Sequence, residues 1–324
     1  MNRADFVIKS DHIFTGLEDA PFKGAVAVKD NKILEVGTMQ QIEPYIGEGT
    51  NVLAYEEELV MAGFIDAHMH YFTGVFQASH YMYRELFDAK SERECVERVK
   101  AFGRQHPEYE KLSGMGWFPM LWDDKHAMPS KKSLDEIEPD RPVYLLSADG
   151  HAFWLNSKAL EACGITRDSQ VSFGSIGKDE NGEPNGLLFE IEAEETANAL
   201  AFRLPAGDAE SLCMEFNEKL AACGITSTTD MSVNPEPVGD FAEYAMAKKL
   251  EDQGKLKIRL NLYPSLGLKP DTSIAKALRS QYHSDRLRVA GLKQFIDGVS
   301  SNFSAYLLEP YADRPGYTGS PCYP

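Results

Sequence analysis

No apolar run in this 324-residue sequence approaches the roughly 18 residues that a bilayer-crossing helix needs. The opening MNRADFVIKSDHIF likewise has no long apolar segment of the secretory type, so no signal peptide is expected. Cysteine is scarce: Cys95, Cys163, Cys213, Cys223 and Cys322 are odd in number and form no CxxC pair. That argues against a disulfide framework and a cysteine zinc site, and for reduced thiols in a cytoplasmic protein. Positive charge is also short. The 33 Lys and Arg face 50 Asp and Glu, for a net charge of −17. With a pI near 4.9 and no basic run, neither nucleic acid nor an anionic membrane is an expected partner. No GxGxxG or GxxxxGK[ST] opens a helix and no GxSxG elbow occurs, so nucleotide-binding and serine-hydrolase readings lack their anchors. What is present is 43% hydrophobic and 26% charged, the balance of a soluble globular protein with more than one domain.

Residues 1 to 60 read as β-structure. DFVIKSDHIF is strand-like, and GAVAVKDNKILEVG is a hairpin whose two alternating runs meet at Asp30-Asn31. Before residue 90 a helical period shows only around GTMQQIEPYI. Beyond it, helices and strands alternate. SERECVERVKAFGRQH has Ser91 as N-cap and Glu94 at the capping-box position. GDAESLCMEFNEKLAACG opens at Asp208, stops at Gly224 and is followed by the β-branched ITSTTDMS. PVGDFAEYAMAKKLEDQG stops at Gly254 before KIRLNLYPSL, and TSIAKALRSQYH leads into RVAGLKQFIDG. Helix, glycine stop and short strand, repeated, predict a parallel α/β array, and this length favours a barrel over an open sheet. Residues 71 to 207 break the rhythm and hold all three tryptophans, Trp117, Trp122 and Trp154. They read as an insertion after the first barrel strand.

Two features carry chemistry. MAGFIDAHMH ends an apolar run with His68 and His70, which share one face of a strand with Asp66. An isolated His-x-His is most often an ordinary polar pair. At the C-terminal end of a barrel strand it is half of a metal site. The second feature is VAGLKQFIDG. Strict alternation puts Val289, Gly291, Lys293, Phe295 and Asp297 on one face, with both faces largely apolar as in a buried parallel strand. Lys293 is then a lone cation in an apolar strand. It is either a snorkelling or Asp297-paired lysine, or an amine left nucleophilic enough by burial to take up CO₂ as a metal-bridging carbamate.

The chain resembles the amidohydrolase superfamily, and within it the YtcJ-like and AepA-like group that includes the N-substituted formamide deformylases. The matching pieces, in order, are GFIDAHMH, GMGW, EPDRPVYLLSADGHAFWLNSKALEACGI, GEPNGLLFE, GITSTTDM and GLKQFIDGVSSNFSAYLLEPYADRPGYTG. The resemblance implies a distorted TIM (β/α) barrel over 61–324, incomplete in this chain. It adds a small β-sandwich contributed at the N-terminal side by 1–60 and an insertion at about 71–207. It makes GITSTTDM, KIRLNLYPSL and VAGLKQFIDG barrel strands two to four, and moves GMGW and SADGH into the insertion. It carries over His68 and His70 as strand-one metal ligands and Lys293 as a carboxylated strand-four ligand. The ion would be Zn²⁺ or another divalent transition metal, as one or two ions. Trp117, Asp149 and His151 become candidates for lining the pocket of a small-molecule substrate. Ala62 replaces a usual proline, and VSSNFSA stands where relatives favour a glycine-containing run.

A barrel needs eight strands, and about four are accounted for. No histidine follows His283, so the relatives' two later metal histidines have no counterpart here, and the catalytic aspartate that relatives supply from a later strand is expected beyond this chain. The expectation is the N-terminal portion of a longer protein, or a truncated product. The expected function is metal-dependent hydrolysis of a non-peptide C–N bond in a small amide, formamide or N-acyl compound by a metal-activated water. The alternative is a non-catalytic remnant with a binding or regulatory role. A sugar-phosphate isomerase is disfavoured by the lack of a phosphate loop. A homodimer is compatible with all of these.

Overall fold

The computed structural model describes residues 3–123, 128–171, 174–231, 241–266, 272–300 and 303–322, with the side chains of 191–193 and 195 left out. The chain divides into two compact units, Met1–Phe64 and Ile65–Pro324.

The first unit is built on β1 (Phe6–Phe14). This strand pairs antiparallel with β2 (Phe22–Lys29), which in turn pairs with β3 (Lys32–Gly37). On its other side β1 runs parallel to β4 (Asn51–Ala54) and β5 (Leu59–Met61). Asp30 and Asn31 both adopt positive φ, 49° and 60°, the backbone that a two-residue hairpin of right-handed twist requires. The Asp5 carboxylate accepts the Asp30 amide at 2.8 Å and pins the turn. The short α1 (Met39–Ile42) covers a small core of Ala4, Val7, Ala25, Ala27 and Ile42. Among the described residues this unit is one five-stranded sheet. The second layer of the expected sandwich is not formed by it.

The second unit starts with β6 (Phe64–Met69) and α2 (Tyr71–Gln77). The helix corrects the reading that no helical period precedes residue 90 apart from GTMQQIEPYI. Tyr71, Phe72, Val75 and Phe76 form a buried helical stripe too short and aromatic to stand out in sequence. There follow β7 (Met82–Tyr83), α3 (Glu92–Gln105), β8 (Leu112–Trp117), α4 (Lys131–Ile137), β9 (Val143–Ser147) and β10 (Ala152–Leu155). α5 (Ser157–Ala162), β11 (Ser175–Lys178), β12 (Pro184–Phe189) and α6 (Ile191–Ala201) complete this stretch. Its strands form their own six-stranded mixed sheet, order β11-β12-β10-β9-β8-β7. Ser91 caps α3 as expected, its hydroxyl accepting the Glu94 amide at 3.1 Å.

The chain then returns to a βα rhythm with α7 (Ala209–Ala222), β13 (Ile225–Met231), α8 (Ala242–Asp252), β14 (Arg259–Tyr263), α9 (Thr272–Gln281) and β15 (Leu287–Val289). Gly224 and Gly254, both at positive φ, end α7 and α8 where a side chain would be strained. Asp208 stands at the N-cap of α7 without capping it. Its carboxylate instead accepts the Tyr81 hydroxyl. The second sheet has the order β15-β14-β13-β6, with β13, β14 and β15 parallel. A large core under it joins Phe72 and Phe76 of α2, Leu212 of α7 and Leu260 and Leu262 of β14 to Phe153 and Leu188 of the six-stranded sheet. A second core holds Trp117, Trp122 and Trp154. The architecture is therefore mixed α/β, and no helix among the described residues is long and apolar enough to cross a membrane.

The segment read as one continuous strand from Val289 to Asp297 is not one. The ladder pairs Leu262 with Val289 and resumes at Ser265 with Lys293, a shift of one residue. Pro264 has no amide to donate at that point, and Gly291 lies so close to the Tyr263 ring that a Cβ would sit 2.3 Å from it. The extra residue reverses the alternation, so Val289 and Lys293 face opposite sides of the sheet.

Candidate metal centre and acidic cavity

His68 lies on β6, and His70 immediately follows the strand at the N-cap position of α2, where its side chain makes no capping bond. Their rings approach edge to face, with centroids 5.6 Å apart. The Asp66 carboxylate does not join them. It accepts the His68 amide at 3.0 Å and so stiffens the strand end. His70 Nδ1 lies 2.6 Å from the carbonyl oxygen of Met231 at the end of β13. A carbonyl only accepts, so Nδ1 carries the proton and Nε2 keeps the free lone pair, the tautomer a metal ligand needs. Burial depresses the His70 pKa, and the nearby His68 and Lys293 add to the effect against the opposing bond to Met231. The imidazole is thereby held neutral.

Lys293 comes within electrostatic range of His70 from the far side of the sheet order. Its amine has no acidic partner among the described residues and lies 4.4 Å from the Phe295 ring centre. Asp297, the partner weighed above, accepts the Tyr306 amide at 2.9 Å instead. Burial lowers the Lys293 pKa. Two imidazoles, that of His70 held neutral, and an amine of lowered basicity with no acidic partner among the described residues fit part of a divalent-metal shell. They do not complete one, since no group of three or more His, Cys, Asp or Glu able to hold an ion occurs among the described residues.

Sequence reasoning missed Asp230. It is 3% exposed on β13, beside the carbonyl that fixes His70. Its Oδ1 accepts the Tyr71 amide at 2.8 Å, while Oδ2 has no hydrogen bond. Burial pushes its pKa up to about 7. The available signal was one acid inside the β-branched run ITSTTDM.

Of the three pocket candidates, Trp117 and Asp149 line a cavity of about 570 Å³, together with Glu190. Trp117 is mostly core, with its indole N–H donating to the Leu145 carbonyl at 2.8 Å. His151 reaches that cavity through Glu190, its Nδ1 lying 3.3 Å from Glu190 Oε2. That bond raises the His151 pKa, against a smaller opposing effect of burial. No contact joins His151 to His68 or His70, and neither histidine lines the cavity. Glu190 is the other residue that sequence reasoning missed. Its backbone sits at φ 65°, ψ 167°, a region that is essentially glycine's, at a cost of about 1–3 kcal/mol. Serine 304 holds the other carboxylate oxygen, with Ser304 Oγ donating to Glu190 Oε1 at 2.7 Å.

A parallel βα array with two histidines at the end of one strand has them where such arrays carry their active sites. Residues 56–324 match the model of the Amidohydrolase family, and the chain belongs to that family. It groups there with the YtcJ-like and AepA-like proteins. It is 27% identical over 326 residues to Protein LONG AFTER FAR-RED 3 of Arabidopsis thaliana, covering 98% of this chain and 54% of the relative. To the Exoenzymes regulatory protein AepA of Pectobacterium carotovorum subsp. carotovorum it is 26% identical, covering 95% and 66%. Its fold is shared with an uncharacterized metal-dependent hydrolase from Pyrococcus horikoshii OT3, at a TM-score of 0.69 and 24% identity over 98% of this chain and 59% of the other. The chain thus spans between about half and two thirds of the length of the curated relatives that it matches along nearly its whole length.

Proposed function

We propose that this chain supplies His68, His70 and Lys293 to the metal centre of a hydrolase that cleaves a non-peptide C–N bond in a small amide, formamide or N-acyl compound. The observation that carries the reading is the Lys293 amine, without an acidic partner among the described residues, within electrostatic range of His70, whose Nε2 is left free while its ring packs edge to face with His68. When bound, Zn²⁺ or a similar divalent ion, singly or as a pair, supplies Lewis-acid polarisation of the scissile carbonyl and an activated water. The chain's own contributions are positional. Met231 orients His70, Asp66 braces the backbone of His68, and burial keeps Lys293 poised for carboxylation. Further ligands and the proton-transferring aspartate lie outside the residues identified in this chain.

The test is metal content and hydrolysis of an N-acyl and N-formyl amine panel, in the protein as expressed and in any longer form of it. His70→Ala and Lys293→Ala should each lose metal and activity together, and short carboxylic acids should partly restore Lys293→Ala by standing in for the carbamate. Metal and activity surviving both substitutions would refute the assignment. The name of the Pectobacterium relative favours a second reading, a non-catalytic regulatory protein. A folded, full-length protein that neither holds metal stoichiometrically nor cleaves any member of the panel would select it.

A further inference from the structure

The cavity of about 570 Å³ in the six-stranded-sheet region has a composition that the metal-centre reading does not use. Its walls include Trp117, Phe118, Phe189 and Tyr317, and its charged lining is Asp149 and Glu190, with no lysine or arginine among the described residues that line it. Glu190 is 6% exposed, and its carboxylate is fixed by Ser304 on one oxygen and His151 on the other. Asp149 Oδ1 accepts the Ser147 hydroxyl at 2.5 Å and the His151 amide at 3.2 Å, and among the described residues Oδ2 has no hydrogen-bond partner.

A third acid reports the field in this region. Glu194 is 6% exposed, and its Oε1 has no hydrogen bond. Its pKa is raised well above the carboxylate range, first by burial and then by the charges of Glu190 and Asp149. The Glu190 and Asp149 charges thus disfavour a third negative charge here, and Glu194 is held in its neutral form. Among the described residues the neighbouring base is His151. Its raised pKa is itself a response to Glu190.

We propose that this cavity binds an organic cation, the protonated amine or guanidinium of a small ligand, between the Asp149 and Glu190 carboxylates and the aromatic walls. The carboxylates supply charge pairing, and the ring faces supply the quadrupole attraction that cations feel over aromatic rings. An anion would meet two like charges and, among the described residues, no base but His151. A bare metal ion lacks a ligand set, because no group of three or more His, Cys, Asp or Glu able to hold one occurs among the described residues. The strained backbone of Glu190 fits the same role, since it presents a carboxylate to the cavity from a position where glycine would be the ordinary choice. This proposal stands independently of the metal-centre reading.

The experiment is calorimetric titration of the chelator-treated protein at about pH 8 with three probes of one shape: 2-phenylethylammonium, neutral 2-phenylethanol and anionic 3-phenylpropionate. Omitting metal keeps the outcome separate from the fate of the metal centre. The cation should bind saturably and about tenfold or more tighter than the alcohol, and the anion should not bind. Asp149→Asn and Glu190→Gln should each weaken the cation by about tenfold and leave the alcohol unchanged. Thermal unfolding of each variant checks the fold. If Glu190→Gln does not fold, the exposed Asp149→Asn decides alone. Equal binding of cation and alcohol, cation binding indifferent to the folded variants, or no saturable binding of the cation would each overturn the proposal.

Discussion

Asn156 offers a direct test of how the cavity is held together. It is fully buried between β10 and α5, and its amide uses its full hydrogen-bonding reach. Oδ1 accepts the amides of Val143 at 3.0 Å and Ala159 at 2.9 Å, while Nδ2 donates to the carbonyls of Glu138 and Arg141, both at 2.8 Å. One side chain thus ties β9, the start of α5 and the loop after α4. Asn156→Ala removes all four bonds and strands four backbone groups where water has little access. At about 1 kcal/mol per bond the loss comes to about 4 kcal/mol. Asn156→Asp keeps both accepted bonds but turns a carboxylate oxygen toward two carbonyls, so it should cost at least as much. All three tryptophans lie in this region, so urea unfolding followed by tryptophan fluorescence reads the effect directly. The midpoint should fall in both variants with the slope unchanged. A loss under about 1 kcal/mol, or an Asp variant more stable than the Ala variant, would refute the reasoning.

Because Glu190 raises the His151 pKa, folding favours the protonated imidazole. This contribution to stability is complete below the ordinary histidine value and disappears as pH rises through the folded value above it. Glu190→Gln should move the His151 titration, followed by NMR of the ring C–H, to below the ordinary value, because burial then dominates; an unmoved titration would sink the assignment. Gly291→Ala would place a Cβ 2.3 Å from the Tyr263 ring and should destabilise the protein by about 1–3 kcal/mol in urea unfolding, whereas a neutral result would show that the bulge can open without cost.

Local rules determined much of this protein from its sequence. The Asp30-Asn31 turn, the Ser91 cap and the glycine ends of α7 and α8 depend only on near neighbours, and the structure shows each of them. The His-x-His spacing at a strand end was also readable, as was the family, because motifs such as GFIDAHMH and GITSTTDM keep their order along the chain. Tertiary structure decided the rest. The side of the sheet that Lys293 faces follows from a one-residue slip beside Pro264 and Gly291, which strict alternation cannot anticipate. Asp230 matters because the fold buries it against Tyr71, a residue 159 positions away. Glu190 meets His151 and Ser304 across 39 and 114 positions, and its left-handed backbone is imposed by those surroundings on a residue with no intrinsic preference for it. Hydrogen bonds between near neighbours leave a pattern in sequence. A register slip and charge pairing between distant positions leave none, because they are properties of the closed chain.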